Sequence, residues 1–116
     1  KQTKRDLLDL LISRKQKSKR IVGYGAPAKA VTLLNYCGVG VDFLDFTVDR
    51  APSKQGRYLP GVRVPILAPE AIFEAKPDYV LILPWNIKQE IKTQMEGIRS
   101  WGGRFIVPVP KATIED

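Results

Sequence analysis

The stretch Arg20-Ile21-Val22-Gly23-Tyr24-Gly25-Ala26-Pro27-Ala28-Lys29-Ala30 leaves the chain little choice of local fold: an apolar strand, a glycine turn, then a helix opened by proline. Gly23 and Gly25 are placed to let the backbone turn tightly and come close to a ligand. Ala28 is placed to let helix and strand pack closely, and the helix N-terminus offers free N–H groups to an anion. The expected occupant is a phosphorylated small molecule. The spacing Gly23-x-Gly25-x-x-Ala28 recurs by chance, so it is the strand before it and the helix after it that give it weight. The plainer reading is that the glycines only permit a tight turn.

With 116 residues, 44% of them hydrophobic, the chain can bury one ordinary core, and a single compact domain over 1–116 is expected. Nineteen Lys and Arg against twelve Asp and Glu give a net charge of +7, which suits a phosphate-bearing ligand, a nucleic acid or an acidic surface. Much of that charge lies between Lys1 and Arg20, where a solvated face explains it. Only Lys29, Lys54 and Arg57 fall beside the expected cleft. The lone Cys37 rules out an intrachain disulfide, and with no histidine there is no zinc site of the usual kinds, so no metal is expected. A reducing, cytoplasmic setting fits. No apolar run approaches the roughly 20 residues of a membrane span, and the basic start lacks the marks of a signal peptide. Because the chain begins at Lys1 rather than methionine, a piece of a longer protein is expected.

Periodicity predicts an amphipathic helix over about Gln2 to Arg14, a polar connection over Lys15 to Lys19, and a strand over Arg20 to Tyr24. A helix from Pro27 to Tyr36 stops at Gly38 and Gly40, and a second strand covers Phe43 to Val48. Arg50 to Pro69, with four prolines and two glycines, reads mainly as loop with Val62 to Pro65 its extended candidate. There follow a short helix over Pro69 to Glu74, a strand over Tyr79 to Leu83 apolar on both faces, a helix over about Ile87 to Ser100, and a strand over Arg104 to Val109. The pattern predicts a small, doubly wound α/β domain with a mainly parallel sheet of about four strands and flanking helices.

In such a sheet, ligands bind beyond the C-terminal ends of the strands. Asp49, ending the second strand, is positioned to hydrogen-bond a ribose or sugar hydroxyl; its bland alternative is to cap a loop. Lys29 opposes the helix dipole, a mismatch that a bound anion would repair and that solvent also tolerates. After Asp49 come Lys54, Gln55, Arg57 and Tyr58. Arg57 suits a bidentate grip on a diphosphate and Tyr58 a stacking face, although a proline-rich loop also carries such residues without a ligand. Trp85 and Asn86 follow the third strand at the same edge. Trp85 is equally suited to packing against the loop, and Asn86 is a natural helix N-cap.

Three motifs, in order, carry a resemblance: Gly25-Ala26-Pro27-Ala28-Lys29 with Leu33-Leu34-Asn35-Tyr36-Cys37-Gly38; Val48-Asp49-Arg50 with Lys54-Gln55-Gly56-Arg57-Tyr58-Leu59-Pro60-Gly61; and Asp78-Tyr79-Val80-Leu81-Ile82-Leu83-Pro84-Trp85-Asn86. Together they resemble the C-terminal domain of sugar C-methyltransferases, departing from the family's more usual glycine and asparagine at Ala30-Val31-Thr32. The resemblance implies a three-part enzyme: a zinc-binding N-terminal segment, a central S-adenosylmethionine-dependent methyltransferase domain, and this Rossmann-like domain, which helps to bind a nucleotide-linked keto sugar. By that reading the methyl donor is bound by a domain outside this chain, no catalytic residue is expected here, and no cofactor is expected to be held tightly. The partners implied are the nucleotide sugar and the central domain of the same full-length chain, with residues 1–19 as the helix and connection leading from it, the helix's apolar stripe partly exposed in its absence. Gly23, Tyr24, Gly25, Ala26, Pro27, Ala28, Lys29, Asp49, Lys54, Gln55, Arg57, Tyr58, Trp85 and Asn86 form the expected substrate site. A nicotinamide-dinucleotide-binding module of an oxidoreductase or regulator is the alternative that the glycine turn and Asp49 leave open. A nucleic-acid-binding module is disfavoured because no recognised motif accompanies the basic start, and no membrane partner is expected.

Overall fold

The computed structural model describes residues 2–116; Lys1, where the basic run begins, lies outside the described residues. Six strands form one sheet in the order β3-β2-β1-β4-β5-β6: β1 (Ile21–Tyr24), β2 (Thr47–Val48), β3 (Ile66–Leu67), β4 (Tyr79–Ile82), β5 (Arg104–Val107) and β6 (Thr113–Glu115). All neighbours pair in parallel except β6, which runs antiparallel to β5 with Ile106 opposite Ile114. The helices are α1 (Gln2–Gln16), α2 (Ala28–Cys37), α3 (Glu70–Ala75) and α4 (Lys88–Gln94).

Strand alternation sorts the core into two layers. On one face Ile21, Leu81, Leu83 and Ile106 pack with Leu7 and Leu11 of α1 and Ala30, Leu34 and Cys37 of α2. On the other, Val22, Tyr24, Val80, Ile82, Phe105 and Val107 pack with Ile72 of α3, Ile91 of α4 and, beyond it, Met95 and Ile98. Helices thus cover both faces, as the doubly wound reading expects. The apolar stripe of α1, expected to be partly bare, is mostly used here. Leu7 and Leu11 are fully buried, which is worth up to about 1.5–3 kcal/mol each, and Leu8 and Leu10 pack against the same cluster. Only Ile12 is left largely exposed.

Five expectations need correction. The sheet has six strands rather than about four, because β3 forms inside the proline-rich segment and β6 folds back after Val109-Pro110. The second strand is Thr47–Val48, not Phe43 to Val48: Phe43 and Leu44 instead donate to the Gly40 carbonyl in a turn. The segment after Asp49 is laced rather than loose, with Leu59 N–H donating to the Val64 carbonyl, Ile66 N–H to Arg57 and Gly56 N–H to Ile66. The last helix breaks into a 3-10 turn (Trp85–Ile87), α4, and a second 3-10 turn (Glu96–Trp101), and the fifth strand ends at Val107. Gly38 and Gly102 end their helices in the left-handed conformation with φ of 73° and 83°.

Candidate functional site

The chain moves outward from β1 to β2 and β3, then crosses back to β4 on the other side of β1. That reversal opens a crevice at the C-terminal ends of β1 and β4, where ligands bind in sheets of this order. A cleft of about 260 Å³ lies there, between Tyr24, Gly25, Pro27, Asp49, Arg50, Lys54, Pro84 and Gln94. Tyr24, Arg50 and Gln94 also line a polar hollow of about 560 Å³ that continues over Gln55 and Glu70. On the other side of Lys54, between the start of α2 and the segment after Asp49, is a more apolar hollow of about 460 Å³. Its walls are Ala26, Ala28, Val31, Tyr58, Leu59 and Ile66, with Arg57 at the rim.

The glycines of the turn have structural reasons to be glycines. A Cβ on Gly23 would stand 2.8 Å from Thr47 Oγ1 of the adjacent strand, and one on Gly25, at φ +97°, would stand 2.6 Å from Pro84 Cδ. It is neighbouring chain, not an approaching ligand, that fills the space a side chain would need. The buried Thr47 hydroxyl donates to the Gly25 carbonyl at 2.8 Å and holds the turn. Ala28 is exposed and lines the apolar hollow instead of mediating close helix–strand packing. Pro27 is the capping residue of α2, and Ala30 is the first helical N–H to donate to the Pro27 carbonyl. The N–H groups of Ala28 and Lys29 are therefore left at the helix's open end.

Lys54 is the residue that joins the two hollows. Its Nζ lies 3.3 Å from the Ala26 carbonyl oxygen and 4.0 Å from Asp49 Oδ2, a contact that spans the glycine turn. Asp49 is half-buried. Its Oδ1 accepts from Ala51 N–H at 2.9 Å, the loop-capping role, while Oδ2 faces the lysine. The Gln55 side chain donates to the Asp49 carbonyl at 2.8 Å and so ties the loop to the end of β2. Arg57 and Tyr58 are exposed at the mouth of the apolar hollow, with the Arg63 guanidinium 5.4 Å from the Tyr58 ring centre.

Three expected residues, Lys29, Trp85 and Asn86, are engaged otherwise. The Lys29 ammonium sits 5.3 Å from the centre of the Trp85 ring, so its charge already has a partner and is not turned toward either hollow. Trp85 itself packs against both core layers, the structural role that its size suggested. Asn86 is exposed and makes no helix cap: the 3-10 turn begins after Pro84 and α4 after Ile87, neither with a side-chain cap.

Two polar residues of the crevice, Arg50 and Gln94, lie outside the expected set. Arg50 lines both the crevice and the polar hollow beside it, and its position directly after Asp49 was the available signal. Gln94 lies 70 positions from Tyr24 and accepts its hydroxyl at 2.6 Å, a pairing that no local pattern carries. Burial pushes the Tyr24 phenol above its ordinary pKa; nearby Arg50 lowers it and Asp49 raises it. Among the described residues no group of three or more His, Cys, Asp or Glu could hold a metal ion, and no helix is long and apolar enough to cross a membrane.

Residues 1–110 match the family described as C-methyltransferase C-terminal domain. The chain is similar to the C-methyltransferase NovU of Streptomyces niveus, 44% identical over 96 residues, which is 83% of this chain and 23% of that protein. It thus spans about a quarter of the length of that relative. In fold it is similar to UDP-D-quinovosamine 4-dehydrogenase of Vibrio fischeri, with a TM-score of 0.54, 19% identity, and coverage of 77% of this chain and 76% of that one.

Proposed function

From the premise that this chain belongs to the C-methyltransferase C-terminal domain family, we propose that it is the substrate-binding part of a larger S-adenosylmethionine-dependent enzyme that methylates a carbon of a nucleotide-linked keto sugar. The observation that carries the reading is the convergence of Lys54, Arg50 and the open N-terminus of α2 on the switch-point crevice, with Arg57 at the rim of the adjoining hollow. Two guanidinium groups, an ammonium and free N–H groups match a diphosphate. The more apolar hollow beside them offers Tyr58 and aliphatic walls to the ring of a base or sugar.

S-adenosylmethionine would supply the methyl group from a central domain of the full-length chain. This chain's own residues bind and orient, which contributes to rate by holding substrate in a reactive position toward that domain. Such an enzyme would work in the cytoplasm, where Cys37, buried and with its thiol pKa raised by that burial, stays reduced. The dinucleotide alternative has less support. Asp49, the residue that would hold a ribose hydroxyl, commits Oδ1 to the Ala51 N–H and turns Oδ2 toward Lys54.

The test is calorimetric titration of the chain with nucleoside diphosphates, a nucleotide sugar, NAD and S-adenosylmethionine, with Arg57→Ala and Lys54→Met as controls. Selective binding of a nucleoside diphosphate or its sugar, weakened in both variants, supports the reading. Preferential binding of NAD would replace it with the dinucleotide module. No binding, together with a full-length enzyme whose KM for nucleotide sugar is indifferent to both substitutions, would overturn it.

A further inference from the structure

The last strand and the crevice are linked through α4. This helix has seven residues, no side-chain N-cap, and Ile91 as its buried residue, so its position depends on tertiary anchors rather than on its own stability. Lys88 and Lys92 stand four residues apart on one face of it. Both reach the Glu115 carboxylate on β6: Lys88 Nζ lies 3.2 and 3.3 Å from its two oxygens, and Lys92 donates to Oε1. Thr113 Oγ adds a third donor at 2.9 Å. The Lys92 side chain is 13% exposed and that of Glu115 27%, well below the exposure of the Arg104–Asp116 pair beside it on β5 and β6. A carboxylate with three donors and limited solvent is a directional anchor, unlike a pair free in water. At the far end of the same helix, Gln94 accepts the hydroxyl of Tyr24, which is almost fully buried at the floor of the crevice.

We propose that Glu115 is a positioning residue: by holding Lys88 and Lys92 it sets α4 so that Gln94 meets the Tyr24 hydroxyl and the crevice keeps its shape. The consequence for ligand rests on the reading given under Proposed function; the consequence for Tyr24 does not.

The experiment follows the Tyr24 phenol carbon by NMR in the chain labelled with 13C at tyrosine Cζ, assigned by Tyr24→Phe, at neutral pH. Gln94→Leu removes the acceptor and marks the unbonded end of the scale. Glu115→Gln is expected to move the Tyr24 signal toward that end, whereas Arg104→Gln, which breaks the neighbouring pair that does not touch α4, is expected to leave it in place. If Glu115→Gln does not fold, as judged by circular dichroism, Lys92→Gln keeps the Lys88 contact and is read in the same way. A folded variant with Tyr24 at its wild-type position, or an equal displacement in Arg104→Gln, overturns the proposal. Titration with uridine diphosphate is the separate arm: affinity is expected to fall about fivefold in Glu115→Gln, the loss of one ordinary hydrogen bond. Should the wild-type chain fail to bind uridine diphosphate, the ligand reading suffers while the Tyr24 result still decides the role of Glu115.

Discussion

The Lys54 ammonium lies 3.3 Å from the Ala26 carbonyl oxygen, so a residue of the segment after β2 crosses the glycine turn after β1 and stands between the crevice and the apolar hollow. A bound phosphate would be a better partner than that single neutral carbonyl, because both members would then be charged. Lys54→Met should therefore weaken nucleotide-sugar binding about tenfold, the order of one charge-assisted hydrogen bond. Since Lys54 is exposed, the melting temperature should hardly move. Calorimetry and thermal unfolding on the same sample check both statements.

Lys29 and Arg57 should separate. Arg57 stands at the rim of the apolar hollow, and Arg57→Ala is expected to raise KM for nucleotide sugar in the full-length enzyme. Lys29 spends its charge on the Trp85 ring rather than on either hollow, so Lys29→Ala should leave KM close to the wild-type value. It should still change Trp85 fluorescence. Equal effects of the two substitutions on KM would show that Lys29 leaves Trp85 when substrate arrives.

Gly25→Ala should destabilise far more than Gly56→Ala. Both have positive φ, +97° and +83°, which disfavours alanine by roughly 1–2 kcal/mol. Around Gly56 a Cβ would meet open space, whereas at Gly25 it would press on Pro84 Cδ, which has no flexible chain to swing away. Urea unfolding is expected to place the Gly25 variant at least about 2 kcal/mol below the Gly56 variant.

Thr47→Val tests what holds the turn. The hydroxyl is fully buried and donates to the Gly25 carbonyl. Valine keeps the shape and leaves that carbonyl without its donor, at an expected loss of about 1–3 kcal/mol in unfolding free energy. A loss near zero would mean that the carbonyl finds another donor.

Stability should fall in acid partly through Glu115. Hydrogen bonds from Lys92, then from Thr113 and Lys88, hold its carboxyl down to about 2 from an ordinary 4.5, against the opposing effect of burial. A carboxyl with a lowered folded-state pKa contributes stability that is complete above 4.5 and is lost as pH falls toward 2. The contribution is at most about 3 kcal/mol by the size of the shift, and less because Lys88 and Glu115 are partly solvated. Between pH 6 and pH 3, Glu115→Gln should therefore lose less unfolding free energy than the wild type.

Much of the architecture was written in local signals. The apolar run Tyr79 to Leu83 formed an interior strand because it is apolar on both faces, and Gly38 and Gly102 ended helices because left-handed backbone suits glycine. The placement of Asp49, Lys54, Gln55, Arg57 and Tyr58 about the same strand ends was also legible, since a doubly wound sheet puts the segment after each parallel strand at one edge. The shortness of β2, expected from Phe43 onward, and the existence of β3 were not. Both strands exist through ladder partners such as Thr47 N–H to the Pro65 carbonyl, and nothing inside two residues announces them.

The sequence by itself determined the order of the main helices and of the strands β1, β2, β4 and β5, the βα turn at Gly25, the two-sided core and the family, because each depends on periodicity, turn chemistry or motif order along the chain. Tertiary structure alone decided which side chains share a space: Lys29 with Trp85, Lys54 with Ala26, Gln94 with Tyr24, Glu115 with α4. Those contacts join residues between 23 and 70 positions apart, such as Lys92 with Glu115 and Tyr24 with Gln94, and their geometry is set by how the layers pack, which no local pattern encodes.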